Sequence, residues 1–392
     1  MGTRLALDYG QRPRWIELPD GARVVRAPTP DAPAPSVDHL LDAALAAPIG
    51  AAPLEQQARA ARRILVVVSD HTRSEPRAAM VAAVLSRIPA GAELTFAAAT
   101  GTHGPTRLDW LQRELEPALP PTRAARWLNH DGGDRDSLVS LGTTRRGTPV
   151  LVNRALLDAD LVVATGCIIP HYFAGYGAGC KALFPGLGGS IEIRINHAHK
   201  QEPGARAGVV DGNPCRDDLE EAAALVPGPV FLLNAVLDDD GATRAAVAGD
   251  TRLAFRAGAA LCEPLYRVRA PTSRRVVVSG RLPVTGSLYQ ASKLVAAAAP
   301  LVAPGGTVIL VAECGQGTGP VATVNEAIYA IGIKPRLPAD HRVVLVSDLS
   351  PATVEQTYCE WAPSVEAALA AAGSDPPTVL PRAGSLLVEA EP

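Results

Sequence analysis

The residues able to do chemistry in this chain cluster in short polar segments, each following an apolar run. The first is Asp70-His71-Thr72-Arg73, with Pro76 just beyond. A carboxylate and a guanidinium three positions apart sit where an extended run gives way to a helix. Arginine there is suited to fork onto a carboxylate or phosphate, although the same residues also read as a helix cap with a surface ion pair. The second is Thr100-Gly101-Thr102-His103-Gly104. Its glycines allow close approach of backbone to a ligand, and its imidazole can exchange protons near neutral pH. The competing reading is a turn with a bystander histidine.

The densest segment runs from Gly166-Cys167-Ile168-Ile169-Pro170-His171 through Ala174-Gly175-Tyr176-Gly177-Ala178-Gly179-Cys180 to Lys181. Its glycines suggest a phosphate loop, but that motif needs Gly-Lys-Ser/Thr. Here Cys180 precedes the lysine and Ala182 follows it, so no hydroxyl is in place for magnesium. What remains is a glycine loop presenting a lysine amine to a cofactor, against a mobile surface loop. Further on, His197 and His199 lie in a stretch that reads as helix. Two positions apart, they do not share a helical face, so at most one serves an inner site. Imidazole suits nickel, copper, iron or zinc, yet no cysteine or carboxylate stands at the spacing of a complete zinc cage. Leu288-Tyr289-Gln290-Ala291-Ser292-Lys293 opens another helix. Tyr289 and Lys293 share one of its faces and can meet an anion, or simply face solvent.

The elements that must carry these segments are legible as an alternation. Ile64–Val68, Leu94–Ala99 and Leu161–Ala164 are contiguous apolar runs, as expected of strands buried on both faces of a parallel sheet. Arg77–Ile88 and Leu108–Leu115 lie between them as helices. The pattern repeats with strands at Arg275–Val278, Thr307–Ala312 and Arg342–Val346 and a helix at Tyr289–Ala298. Ala27–Pro35, crowded with prolines, reads as an extended connector. The expectation is an α/β protein of two domains, 1–270 and 271–392. Each has a mainly parallel sheet flanked by helices, with the active site in the cleft between them.

Composition narrows the partners. The 392 residues hold 37 basic and 40 acidic side chains and only 4% aromatics, which argues against nucleic acid. The six cysteines form no CxxC pair, which suits a reducing compartment. The N-terminus has no secretory h-region, and the longest apolar stretch is interrupted by Pro300. A cytoplasmic protein with no membrane partner is expected.

In this order, these pieces resemble the lactate racemase family, whose members use a nickel-pincer nucleotide. The matching residues are Asp70-x-Thr72-Arg73, Ala99–His103, Pro170-His171-x-x-Ala174-Gly175 leading to Gly179-x-Lys181, and His197. Asp211–Pro214, Leu288-Tyr289-Gln290-x-x-Lys293 and Val311–Cys314 also match. The resemblance implies a racemase or epimerase of 2-hydroxy acids such as lactate or malate, acting by reversible hydride transfer. Its cofactor would be pyridinium-3-thioamide-5-thiocarboxylic acid mononucleotide with nickel, loaded by the enzymes that make it. Lys181 matches the lysine joined to the cofactor as a thioamide, and His197 the protein ligand to nickel. His103 and His171 match the acid–base pair. Asp70, Thr72 and Gly179 would lie at the cofactor and Arg73 at the substrate; Tyr289, Gln290 and Lys293 would close over both. Gly177-Ala178-Gly179-Cys180 departs from the family's glycine pattern, as does His71 within the first motif. The alternative from another class is a non-catalytic carrier of the same nucleotide, which needs Lys181 and His197 but neither His103 nor His171.

Overall fold

The computed structural model describes residues 3–103, 106–319 and 329–391. The chain divides into two compact units: Pro30–Leu265, and Met1–Thr29 together with Tyr266–Pro392. Residues 3–29 therefore pack with the C-terminal unit, whereas the sequence reading assigns them to the first domain. Strands β1 (Thr3–Tyr9) and β2 (Arg12–Leu18) form an antiparallel ribbon. Leu7, Ile16 and Leu18 on that ribbon pack in one core with Val277, Ile309, Val344 and Val379. A parallel sheet must be covered on both faces, and here the ribbon supplies one cover. The short strand β3 (Arg23–Val24) then joins that sheet's edge.

The unit from 30 to 265 carries β4 (Arg63–Ser69), β5 (Glu93–Ala99), β6 (Ala125–Asn129), the antiparallel pair β7 (Leu138–Thr143) and β8 (Pro149–Asn153), and β9 (Leu161–Ile168). The two-residue strands β10 (Pro170–His171) and β11 (Gly175–Tyr176) pair with each other. β12 (Val230–Leu237) and β13 (Thr243–Gly249) follow. The main sheet has the order β13-β12-β9-β4-β5-β6. Its pairs are parallel except β12 with the edge strand β13. From β4 the chain moves through the helix Arg77–Leu85 to β5 and onward to β6. It then returns to β9 on the opposite side of β4. The crevice beyond the carboxyl ends of β4 and β9 is thus a topological switch point, where α/β sheets bind ligands.

The other unit adds β14 (Arg267–Ala270), β15 (Ser273–Val278), β16 (Val302–Val311), β17 (Arg342–Val346), β18 (Glu360–Trp361), β19 (Thr378–Leu380) and β20 (Leu387–Ala390). Its sheet runs β18-β17-β16-β15-β19-β3, parallel at every step. The α/β class and the predicted strands and helices are found, and Ala27–Pro35 carries no regular structure. Among the described residues no helix is long and apolar enough to cross a membrane.

One joint ties a helix of the unit 30–265 to the loop between β10 and β11. The helix Pro214–Ala224 begins with Asn213, whose side-chain oxygen accepts from the N–H groups of Cys215 and Arg216, both at 3.1 Å. The same side chain donates to the carbonyls of Phe173 at 2.8 Å and Val209 at 3.0 Å. Asn213→Ala removes the cap and leaves buried carbonyls unsatisfied, at a cost of about 1–3 kcal/mol. Urea unfolding should show a lower midpoint with an unchanged slope.

Candidate active site

β4, β5 and β9 each end at one cavity of about 140 Å³. Its walls include Asp70 and Arg73 after β4, Thr100–His103 after β5, Pro170 and His171 after β9, and Gly177, Ala178 and Lys181 from the glycine loop. Five residues singled out in the sequence therefore meet there: Asp70, Arg73, His103, His171 and Lys181.

Asp70 is 3% exposed and fully engaged. One carboxylate oxygen accepts from the Thr72 N–H at 2.8 Å and from its hydroxyl; the other holds His103 Nδ1 at 2.7 Å. Burial pushes this carboxyl upward. The bonds from His103 and Thr72 outweigh that push and hold it down at about 2. An ionised carboxylate only accepts, so His103 carries a proton on Nδ1, and in the neutral ring Nε2 is then the basic nitrogen. His171 is held the other way: its Nδ1 accepts the Ala174 N–H at 3.3 Å, so the neutral ring carries its hydrogen on Nε2.

A buried arginine braces the β4 turn. Arg77 donates from Nε to Ser69 O at 3.1 Å and from a terminal nitrogen to Asp70 O at 2.6 Å and to Arg73 O. Its remaining nitrogen meets Glu114 at 2.9 Å, and its guanidinium lies 5.1 Å from the Trp110 ring centroid. Glu75 is buried beside it and accepts from the Ser69 hydroxyl at 2.9 Å. Burial raises the Glu75 carboxyl despite Arg77.

Arg216 does the same for the glycine loop. Wholly buried, it donates to the carbonyls of Ala174, Tyr176 and Ala178 and lies 4.2 Å from the Phe255 ring centroid. Gly179 has φ +67°, and a Cβ there would lie 2.7 Å from the Phe255 ring, so no other residue fits comfortably. Its N–H donates to Asn234 in β12 at 2.9 Å.

Lys181 follows, with Nζ 5.8 Å from the Phe173 ring centroid. Burial drives the amine's pKa well below its usual value, and the cations of Arg216 and Arg73 push the same way. Burial also raises the neighbouring thiols, Cys180 to about 11 and Cys167 to about 12, so both stay protonated near neutral pH.

His197 does not line the cavity. Its ring packs edge-on against Phe173 at 4.8 Å, and Phe173 also meets His171 at 4.6 Å. One aromatic ring is therefore the common neighbour of His171, Lys181 and His197. His199 instead bonds Glu202, which separates the two histidines as the helical reading requires. Tyr289, Gln290 and Lys293 belong to the other unit, on the helix Leu288–Ala298, where Lys293 donates to Gln290. Sequence reasoning missed Phe173, Arg77, Arg216 and Asn234. Only Asn234 left a usable signal, as an amide inside the apolar run Val230–Leu237.

Residues 9–208 match the family described as the lactate racemase N-terminal domain. A lactate racemase of Thermoanaerobacterium thermosaccharolyticum is 30% identical over 290 residues, covering 72% of this chain and 67% of that protein. A lactate racemase of Lactiplantibacillus plantarum is 28% identical over 365 residues, 85% of each. The apoprotein structure of the Thermoanaerobacterium lactate racemase superposes with a TM-score of 0.86 at 25% identity, covering 98% of this chain and all of that one. A Thermotoga maritima protein shares the fold alone, with a TM-score of 0.65 at 16% identity over 91% of this chain and 98% of that one. Fold and matches together define an isomerase of the racemase class. The chain belongs to the lactate racemase family.

The depressed Lys181 amine has a consequence for stability. The unfolded chain binds a proton there more readily than the folded one, so the cost is full below the folded pKa and vanishes as pH rises to the usual lysine value. Lys181→Met should therefore stabilise the unloaded protein near neutral pH. Urea melts across a pH series should show that gain shrinking as pH approaches the free-lysine range.

Proposed function

We propose that this chain interconverts the enantiomers of lactate, or of a close 2-hydroxy carboxylate such as malate, using a nickel-pincer nucleotide carried on Lys181. The observation that carries the reading is the convergence of an aspartate-held histidine, a second histidine, an arginine and an uncharged-leaning lysine on one cavity. The donor set suits the cofactor. An amine of lowered pKa is more readily acylated, and His197 offers an imidazole behind the shared Phe173 ring.

Taking a proton from the α-carbon would build negative charge beside the substrate carboxylate. Removing hydride leaves a neutral keto carbon but needs an electron sink, which the bound nickel-pincer nucleotide supplies reversibly. The chain's residues do the rest. Arg73 forks onto the substrate carboxylate. His103 Nε2 takes the hydroxyl proton as the α-hydrogen departs, and Asp70 stabilises the imidazolium that forms. His171 donates a hydrogen bond from Nε2–H to the oxygen of the planar keto acid, which can then turn its other face; as hydride returns, the His103 imidazolium gives its proton back to that oxygen. Tyr289, Gln290 and Lys293 are the further contacts proposed for cofactor and substrate. Cofactor-synthesising enzymes are the maturation partners.

Protein co-expressed with those enzymes should gain mass on the Lys181 peptide and racemise single enantiomers of lactate. In D2O the product should retain its original α-hydrogen; entry of solvent deuterium at the α-carbon would rule out hydride transfer. Asp70→Asn should lower kcat by about 10²–10⁴. His103→Ala and His171→Ala should each keep the mass gain and lose turnover, whereas a non-catalytic carrier would show no turnover in any form. Lys181→Ala should lose both.

A further inference from the structure

Arg216 is completely buried, yet it does not line the cavity. It reaches the glycine loop from the helix Pro214–Ala224. Its Nε donates to Ala174 O at 3.2 Å, one terminal nitrogen to Tyr176 O, and the other to Ala178 O at 3.5 Å. These are alternate carbonyls on the approach to Lys181. The guanidinium also lies against Phe255, the ring that keeps position 179 a glycine. Glu220, one turn along the same helix, is taken up by Arg252 and Arg256. Arg216 itself feels Glu220 and the Cys180 side chain as well, but its hydrogen bonds to backbone all go to carbonyls of the loop that leads to the lysine.

We propose that Arg216 is the positioning residue of Lys181: by holding the carbonyls of Ala174, Tyr176 and Ala178 it fixes the path along which the loop delivers Nζ to the cavity. The inference rests on Lys181 being the cofactor anchor and adds the residue that prepares it. The charged and titratable groups around the amine are Arg216 and Arg73, both cationic, the thiols of Cys215 and Cys180, and, on the same cavity, Asp70, His103 and His171. The brace is thus also a fixed positive charge, acting with burial to lower the amine's pKa. Lysine at 216 would keep the charge without the planar fork; methionine would keep neither.

The test uses the full-length unloaded protein. Acetic anhydride is applied over about pH 6–10, and acetylation of each lysine is read by peptide mass spectrometry. Exposed Lys334 serves as the internal reference. Hydrogen exchange of amides 174–181 is followed in parallel. Arg216→Met should raise the Lys181 reactivity midpoint by about one pH unit. Its acetylation relative to Lys334 should fall about tenfold near neutral pH. Arg216→Lys should keep the midpoint but, like Arg216→Met, speed exchange across the loop. Wild-type midpoint and exchange in both variants would overturn the proposal. If Arg216→Met does not fold, Arg216→Lys decides alone, unchanged loop exchange being the negative result. Neither readout involves turnover, so failure of the racemase reading, seen as full activity in Lys181→Ala, remains separately visible.

Discussion

A strand-end loop that wraps a cavity turns carbonyls inward, where neither water nor a neighbouring strand can satisfy them. This protein meets that constraint with buried arginines. Arg77 ties down the turn carrying Asp70 and Arg73; Arg216 ties down the loop carrying Lys181. Each guanidinium rests near an aromatic ring, Trp110 for one and Phe255 for the other. A planar fork can hold several carbonyls at once, which a lysine ammonium on its flexible stem does less well. The cavity's shape is consequently fixed by residues that mostly never reach it.

That arrangement explains how chemistry sits at the carboxyl ends of a sheet whose strands are otherwise uniformly apolar. β4 and β9 are buried along almost their whole length and contribute function only at their tips. The switch in strand order opens the crevice, and the two braced loops furnish its walls. The polarity Asp70 needs is supplied locally, by Thr72 and His103, so its charge survives burial. Lys181 receives the opposite treatment: burial and the cations of Arg216 and Arg73 both disfavour its charge.

Much of this was legible in the sequence because parallel strands advertise themselves as unbroken apolar runs. Ile64–Val68 and Leu161–Ala164 announced the two central strands, and the polar residues directly after them had to be the cavity's. The ordered spacing from Asp70 to Lys293 then pointed to one family. Contacts made across long separations were not legible. Nothing about Arg216 in sequence distinguishes a buried brace from a surface charge, since its partners lie some forty residues earlier. The ribbon β1–β2 escaped for a similar reason: its apolar face is meaningful only against β15, β16 and β17, which come more than 250 residues later. Phe173 reads as one aromatic among several until its ring is seen to touch three of the singled-out side chains.

The two histidines are held in unlike ways, one by a carboxylate and one by a backbone N–H. Thermodynamics limits how that inequality can appear in a racemase. Mirror-image molecules have equal free energies in achiral water, so the Haldane relation forces the same kcat/KM on both enantiomers. Any advantage that the unequal pair gives one enantiomer in maximal velocity must reappear as weaker apparent saturation by that enantiomer. The lopsided pair can therefore shape how the enzyme fills at each hand of its substrate, never which hand it favours at equilibrium.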